Sequence, residues 1–206
     1  MKKRDTITCI VLTMFFIFIA FLVVFSKNEF IDTSIYNIVR SLSSSVMDKY
    51  FIFFTKFCNT LTIVCVVLIF IIIFRNRYGI WLTASTIISA TSNVIIKNII
   101  RRARPDHLRL ITQGGYSFPS GHAMISIAVY GLLFYFVVKK IKNKPLRIIL
   151  SIILIFIILT VGISRIYVGV HYPTDVIAGY LLAIIELIIL INIFNDRGLL
   201  NEKNID

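Results

Sequence analysis

The sequence predicts an all-α, polytopic membrane protein that folds as one bundle of six transmembrane helices. Hydrophobic residues make up 58% of the 206 residues and the mean hydropathy is +0.89, whereas soluble domains are about 45–50% apolar. A helix needs about 20 mostly apolar residues to cross the bilayer core. Six runs approach this length, at roughly 7–25, 57–74, 79–99, 122–138, 148–163 and 176–194. Because these runs and their connections use nearly the whole chain, we expect a single domain over residues 1–206.

The residues that flank the apolar runs are typical of the ends of membrane spans. The first run follows three basic residues, as a secretory signal does, but it is long for a signal and the chain after it lacks a small-x-small cleavage pattern. We therefore expect it to be a retained span. Four prolines delimit later runs, since proline disfavours a helix interior: Pro105, Pro119, Pro145 and Pro173.

The connection at residues 26–56 predicts an amphipathic helix on the membrane surface after the first span. Its apolar residues recur at helical spacing, and Ser, Asp, Asn and Arg fill the other face. The apolar positions are Ile31, Ile35, Ile38, Val39, Leu42, Val46 and Tyr50. Two interpretations stay open: the helix guides a lipid head group, or it is a connector that packs its apolar side on the bundle.

Basic residues set the expected orientation. The net charge of +12 does not indicate nucleic-acid binding, because the cations cluster at the ends of apolar runs and not on one soluble face. With the N-terminus inside, the cytoplasmic ends hold Lys2, Lys3, Arg4, Arg75, Arg77, Lys139, Lys140, Lys142, Lys144, Arg147, Arg197 and Lys203. Apart from three motif cations treated below, the other side holds Lys27, Arg40, Lys49, Lys56, Arg101, Arg102 and Arg109. The positive-inside rule then predicts cytoplasmic termini, and such charge suits anionic membrane lipids.

The third run carries a polar stripe. Ser85, Ser89, Asn93 and Lys97 follow one another at intervals of four, so they share one face of a helix that should point into the bundle. Lys97, at the end of the stripe, either reaches for the interface or holds an anion. Arg104 lies seven residues on, which a continuous helix would place on the same face, and the pair favours a phosphate. In the sixth run, Glu186 has no partner that the sequence identifies.

Lys97, with Arg104 and Pro105, forms the first of three polar blocks. A second block, Pro119-Ser120-Gly121-His122, opens the fourth run. The start of a helix offers free N–H groups and the positive end of the helix dipole, where anions bind readily. Gly121 lets the backbone come close to a ligand, and the Ser120 hydroxyl adds a donor. His122 lies in the first turn, aimed at what the amides hold. The same residues also fit an ordinary serine cap of a transmembrane helix.

A third block places Arg165 shortly before His171 and Asp175. The carboxylate, four residues from the histidine, can hold one ring nitrogen and leave the other as an oriented nucleophile or base. Arg165 offers a planar fork for phosphate oxygens. The alternative is a capping aspartate beside an interfacial histidine. Six spans bring all three blocks to one membrane face, which favours a site that binds and cleaves a phosphate ester.

A metal site is the less favoured interpretation. His122, His171, Asp175, Asp106 and His107 are the available ligands. Lys97, Arg104 and Arg165 would repel a divalent ion, so we expect neither a metal nor a cofactor. We expect His107 to be a surface residue or at most a substrate contact.

The three blocks resemble the signature of the type 2 phosphatidic acid phosphatase superfamily: Lys-x6-Arg-Pro at 97–105, Pro-Ser-Gly-His at 119–122 and Ser-Arg-x5-His-x3-Asp at 164–175. The resemblance has no departure at any signature position. It implies that His171 attacks phosphorus to form a phosphohistidine, that Asp175 orients it, and that His122 protonates the leaving oxygen and then activates water. It also implies that five residues hold the phosphoryl oxygens: Lys97, Arg104, Ser120, Gly121 and Arg165.

From the residues and the resemblance together, we expect a metal-independent phosphatase of the bacterial cell membrane with its active site on the extracytoplasmic side. Its substrate would be a lipid phosphomonoester or diphosphate, such as phosphatidylglycerophosphate, undecaprenyl diphosphate or phosphatidic acid. Two alternatives remain: a carrier of lipid or phosphate that does no chemistry, and a membrane phosphotransferase that uses an acceptor other than water.

Overall fold

The computed structural model describes residues 1–74, 77–106 and 109–196. Within them the chain is helical and contains no strand. The helices are α1 (Lys3–Val24), α2 (Glu29–Arg40), α3 (Ser45–Thr55), α4 (Thr60–Phe74), α5 (Arg77–Ile100), α6 (Gly121–Ser126), α7 (Leu132–Lys140), α8 (Lys144–Tyr167) and α9 (Pro173–Asp196). A 3₁₀ turn at Lys56–Cys58 lies between α3 and α4, and a π turn at Ile127–Gly131 joins α6 to α7.

Five helical segments are long and apolar enough to cross a membrane: α1, α5, the joined α6–α7, α8 and α9. A sixth span results when α3 and α4 are counted as one bent segment. The predicted all-α membrane fold is therefore confirmed.

The second span differs from the single apolar run predicted at 57–74. Its two parts, Ser45–Cys58 and Leu61–Ile72, meet at 48°. The 15 residues of α4 alone extend about 22 Å, short of a hydrocarbon core of about 30 Å. At the bend the Asn59 side chain accepts a hydrogen bond from the Thr62 N–H at 3.2 Å, which caps α4 and starts it in a new direction.

The predicted amphipathic helix over 26–56 is two helices, α2 and α3. The break falls in a serine-rich turn, because the Ser44 hydroxyl accepts from the Met47 N–H at 3.2 Å and caps α3. Of the two interpretations left open for this segment, packing of the apolar side on the bundle applies to only part of it. Asp32 of α2 turns inward and is only 4% exposed, whereas several of the predicted apolar positions are exposed: Ile31, Ile38, Leu42 and Val46.

The end of α5 corrects a second expectation. The helix stops at Ile100, Arg101 adopts a φ of +51°, and the described residues that follow, as far as Ser120, are not helical. Arg104 therefore does not share a helix face with Lys97. The physical reason lies in the sequence, because Pro105 disfavours a helical conformation at Arg104. This connection docks on the one between α8 and α9, where the Leu110 N–H donates to the Val168 carbonyl at 3.0 Å.

Inside the bundle, the first three residues of the polar stripe of α5, Ser85, Ser89 and Asn93, are buried as predicted. The Ser85 hydroxyl donates to the Ala128 carbonyl at 2.9 Å, and the Asn93 amide donates to the Pro119 carbonyl at 3.0 Å. Glu186 of α9 accepts a hydrogen bond from the Ser92 hydroxyl, the partner that the sequence did not identify. These bonds tie α5 to the π turn, to the residues before α6 and to α9, because an unmet polar group is costly in the apolar interior.

The helices α8 and α9 pack very closely at Gly162. A Cβ atom at this position would lie 1.9 Å from the Tyr180 hydroxyl oxygen. The hydroxyl donates across the same contact to the Ile158 carbonyl. The close packing fixes the end of α8 beside the start of α9.

Candidate active site

One end of the bundle gathers the residues that the three blocks predicted. Lys97 comes from the last turn of α5, Ser120 to His122 from the start of α6, and Arg165 from the last turn of α8. His171 lies in the short connection to α9, and Asp175 lies in the first turn of α9. Arg104 reaches the same place from the non-helical segment after α5, through contacts described below. Helix ends from four parts of the sequence therefore meet in one small volume.

His171 is held from both sides of its ring. The Nδ1 atom lies 3.3 Å from the Asp175 Oδ2 atom, and the Nε2 atom lies 3.2 Å from the Nη1 atom of Arg104. Because a carboxylate only accepts and a guanidinium only donates, this network assigns the proton to Nδ1 and the lone pair to Nε2. Burial, with the positive charges of Arg165, Arg104 and Lys97, lowers the pKa of His171 well below its usual range. The imidazole is therefore neutral near pH 7, with its free lone pair facing the cations.

Asp175 is completely buried and both of its oxygens are used. Besides His171, the Oδ2 atom accepts from the Tyr172 N–H at 2.9 Å. The Oδ1 atom accepts from the Nη1 atom of Arg102 at 2.6 Å. The carboxylate is thus held as an acceptor for the histidine, and its charge is balanced by a neighbouring cation.

Arg102 and Asp32 are contributors that the sequence analysis missed. The sequence predicts Arg102 among the extracytoplasmic cations and the segment of Asp32 as a surface helix. In the structure, the Nη2 atom of Arg102 lies 2.7 Å from the Asp32 Oδ2 atom. No local pattern points to this pair, because 70 residues separate its members.

Three cations of the site rest on neutral oxygens. Arg104 donates to the carbonyls of Gly114, Gly115 and Val170 at 2.7–3.1 Å. Burial lowers the pKa of its guanidinium, although the nearby charge of Asp175 opposes this. Lys97 donates to the Tyr116 carbonyl.

Arg165 is 1% exposed and completes this set. It donates to the Thr55 hydroxyl and, at 3.0 Å, to the Gln113 side-chain oxygen, and its Nε atom has no partner. In the described part of the chain, none of the three cations forms an ion pair with a carboxylate. Positive charge that lacks a carboxylate partner, buried at Arg165 and partly buried at Lys97 and Arg104, suits a phosphate dianion, whose oxygens accept from arginine and lysine.

The start of α6 contributes donors. Ser120 stands at the cap position, but its hydroxyl caps nothing and has no partner among the described residues, so it remains available to a ligand. The first N–H groups of the helix have no acceptor within the helix. A Cβ atom at Gly121 would lie 3.0 Å from the Asn93 side-chain oxygen, so this position favours glycine. His122 is half-buried, and the charges of Arg165, Arg104 and Lys97 act on it.

Among the residues that the structure describes, no group of three His, Cys, Asp or Glu side chains could hold a metal ion. The expected side chains His122, His171 and Asp175 lie among cations and not in such a group. His107, which we considered as a ligand or substrate contact, lies outside the described residues.

Comparison with known proteins places this arrangement in a family. The family description "PAP2 superfamily" matches residues 78–199. Phosphatidylglycerophosphatase B of Bacillus subtilis is 38% identical over 51% of this chain, and undecaprenyl-diphosphatase of Sulfolobus acidocaldarius is 29% identical over 76% of it. The matched part of this chain spans about half the length of the first relative (52%) and 75% of the second.

The fold has a solved counterpart. The crystal structure of a transmembrane PAP2 type phosphatidylglycerolphosphate phosphatase from Bacillus subtilis superposes with a TM-score of 0.82 at 24% identity, covering 95% of this chain and 99% of that one. At this identity the likeness concerns the fold. The family match covers more than half of the sequence, including all three polar blocks, and the chain therefore belongs to the PAP2 superfamily.

Proposed function

We propose that the protein is a membrane lipid phosphatase that removes a terminal phosphate through a phosphohistidine on His171. One observation carries the proposal: a neutral imidazole stands between Asp175 and Arg104, with its Nε2 lone pair facing cations that lack a carboxylate partner. A nucleophile in a pocket built for an anion is what phosphoryl transfer to a histidine requires.

In the first step, the Nε2 lone pair attacks phosphorus and the bond from phosphorus to the leaving oxygen breaks. His122, in its protonated form, gives its proton to that oxygen. Arg104 turns from Nε2 to a phosphoryl oxygen and, with Lys97 and Arg165, stabilises the negative charge that develops there. The Asp175 carboxylate stabilises the positive charge of the phosphorylated ring.

In the second step, water attacks phosphorus and His122 takes a proton from it. The bond between phosphorus and Nε2 breaks, its electron pair returns to Nε2 of His171, and inorganic phosphate leaves. Ser120 and Gly121 supply donors to the phosphoryl oxygens in both steps. No step calls for a metal ion.

A lipid phosphate fits the position of these groups. They lie at the ends of membrane spans, where a lipid head group meets water while its chains stay in the bilayer. The names of the relatives also point to lipid phosphates, one to phosphatidylglycerophosphate and the other to undecaprenyl diphosphate. These two, with phosphatidic acid, are the substrates to test.

We also propose that the site faces the extracytoplasmic side of a bacterial cell membrane, with both termini in the cytoplasm. The support is the excess of Lys and Arg at the opposite ends of the spans. There the start of α1 meets the end of α9, where the Asn192 side chain lies 3.2 Å from Asp5. Fusing a reporter that is active only outside the cell to the loop at residues 141–143 tests this, because activity there would reverse the assignment.

The alternatives make different use of the same pocket. A carrier needs the cations but has no need of an imidazole oriented by Asp175. A phosphotransferase would share the phosphohistidine and pass the phosphoryl group to an alcohol in place of water. Adding candidate acceptors and analysing the products separates transfer from hydrolysis.

The deciding experiment measures phosphate release by the purified protein in detergent with a strong chelator present. The substrates are undecaprenyl diphosphate, phosphatidylglycerophosphate, phosphatidic acid and a water-soluble phosphomonoester, and the control is His171→Ala. We expect release from a lipid by the wild type and none by the variant. Release that needs added Mg²⁺ would contradict the metal-free mechanism, and a variant that keeps more than a few per cent of the rate would contradict the phosphohistidine.

A further inference from the structure

Asp32 is an unexpected residue beside the site. It lies on α2, outside the region that matches the family, yet it is a buried carboxylate with four donors around it. Its Oδ2 atom accepts from Arg102, from the Thr174 hydroxyl at 3.0 Å and from the Asn28 amide, and its Oδ1 atom accepts from the Thr174 N–H at 2.9 Å. Burying a carboxylate costs desolvation free energy, which its hydrogen bonds must offset. The groups that donate to Asp32 therefore indicate what it does.

The first route from Asp32 to the site runs through Arg102. The guanidinium of Arg102 is forked between two carboxylates, with Nη2 on Asp32 at 2.7 Å and Nη1 on Asp175 at 2.6 Å. It also lies over the Tyr172 ring, 3.8 Å from the ring centre. Because a guanidinium is planar and rigid, fixing Nη2 also fixes where Nη1 points. Asp32 thereby sets the position at which Asp175 Oδ1 is held.

The second route runs through the start of α9. The helix begins at Pro173, so Thr174 is its second residue and the Thr174 N–H has no acceptor within the helix. Asp32 accepts this N–H and so caps α9 from a different helix. Asp175 is the next residue of the same turn. The backbone and the side chain of Asp175 are thus both positioned by contacts that lead to Asp32.

We propose that Asp32 is a positioning residue for the reaction. Through Arg102 and the capped first turn of α9, Asp32 holds Asp175 in place, and the Oδ2 atom of Asp175 then faces His171 Nδ1. This inference rests on the proposed function for its kinetic consequence but not for its structural one. With this role, α2 is a structural part of the site. The orientation of the nucleophile then depends on a segment far from it in the sequence.

The kinetic test compares three variants on α2. Asp32→Asn keeps the shape but loses the charge, and its amide opposes Arg102. We expect kcat to fall roughly 10- to 100-fold, the loss typical when an outer group that orients a metal-ligating histidine is removed, while KM changes less than about threefold because the phosphate contacts are untouched. Asp32→Glu keeps the charge and should recover most of the loss. Glu29→Gln, which neutralises an exposed acid of the same helix, should match the wild type.

A second measurement does not depend on turnover. Diethyl pyrocarbonate acylates the free nitrogen of a neutral imidazole, and peptide mass spectrometry reports the rate at His171 separately from His107 and His122. Without an ordered Asp175, a fraction of the molecules carries the proton on Nε2 in place of Nδ1. We therefore expect labelling of His171 in Asp32→Asn to slow by about threefold or more. Glu29→Gln should label at the wild-type rate.

The outcomes separate the two proposals. If the wild type cleaves no lipid phosphate, the proposed function fails, and the labelling rates alone decide on Asp32. If the folded Asp32→Asn protein has wild-type kcat or wild-type labelling, or if Asp32→Glu is as impaired as Asp32→Asn, the positioning role is overturned. If Asp32→Asn does not fold, Arg102→Lys replaces it, since lysine keeps the charge but cannot bridge both carboxylates. Wild-type labelling in that variant would likewise refute the proposal.

Discussion

Replacing Asp175 with Asn tests how much the buried carboxylate contributes to phosphoryl transfer. The attack makes the imidazole of His171 positive, 3.3 Å from the Asp175 oxygen. Two unit charges at this distance attract by about 5 kcal/mol at an effective dielectric constant of about 20. Since each 1.36 kcal/mol corresponds to a tenfold change in rate, the upper limit of the loss is about 5,000-fold. Water and side-chain relaxation reduce this, so we expect kcat to fall by roughly 100- to 5,000-fold.

The assay mixes Asp175→Asn with an excess of the preferred lipid phosphate and follows both phosphate release and acid-quenched phosphoenzyme. Formation of the phosphoenzyme should become the slow step, because the charge is needed when the ring turns positive. Asp106→Asn is the matched control: it removes an exposed carboxylate near the same loop and should stay within about twofold of the wild type. A folded Asp175→Asn protein within tenfold of the wild-type rate would refute the reasoning, since the carboxylate would then contribute little to the transition state.

Three further predictions concern pH, the arginine fork and helix packing. Because the pKa of His171 is lowered, the ring should keep its lone pair below pH 6.5, so the acidic limb of kcat/KM should have its midpoint below pH 6.5; an acidic limb with its midpoint at or above 6.5 in a pH profile would contradict this. Arg165→Lys keeps the charge but loses the fork, so substrate titration should show kcat lower by roughly 10- to 100-fold, and a wild-type value would exclude a bidentate role. Gly162→Ala should displace Tyr180 and destabilise the fold by about 1–3 kcal/mol, seen as a lower Tm, whereas Gly131→Ala meets only a flexible leucine end at 3.2 Å and should have little effect.

Hydropathy predicted the spans well because a bilayer imposes a length on every helix that crosses it. Five of the six predicted runs fall within long helices of the structure. The run at 57–74 was misjudged because hydropathy cannot register a bend. The break at Asn59 depends on a side-chain cap, and the spanning length is completed by α3, whose residues we had assigned to a surface helix.

The candidate site was predictable where its parts are close in sequence. His171 and Asp175 are four residues apart, and their contact followed from that spacing. Arg102 and Asp32 were missed because their contact joins distant helices, and the charge of an arginine does not reveal which carboxylate will meet it. The shared helix face expected for Lys97 and Arg104 was wrong, yet both cations reach the site, because the loop after α5 folds back on the end of α8.

The distribution of the site along the chain has a consequence for biosynthesis. Membrane proteins are inserted in order from the N-terminus as they are made, and Asp175 enters only with α9, after α5 and α8 have brought in Lys97 and Arg165. A nascent chain that has inserted α1 to α8 therefore carries these cations before it carries Asp175, the carboxylate beside His171. Until α9 docks, this intermediate has Lys97 and Arg165 in place without Asp175. On the proposed mechanism, the chain could cleave a phosphate ester only after α9 is in place.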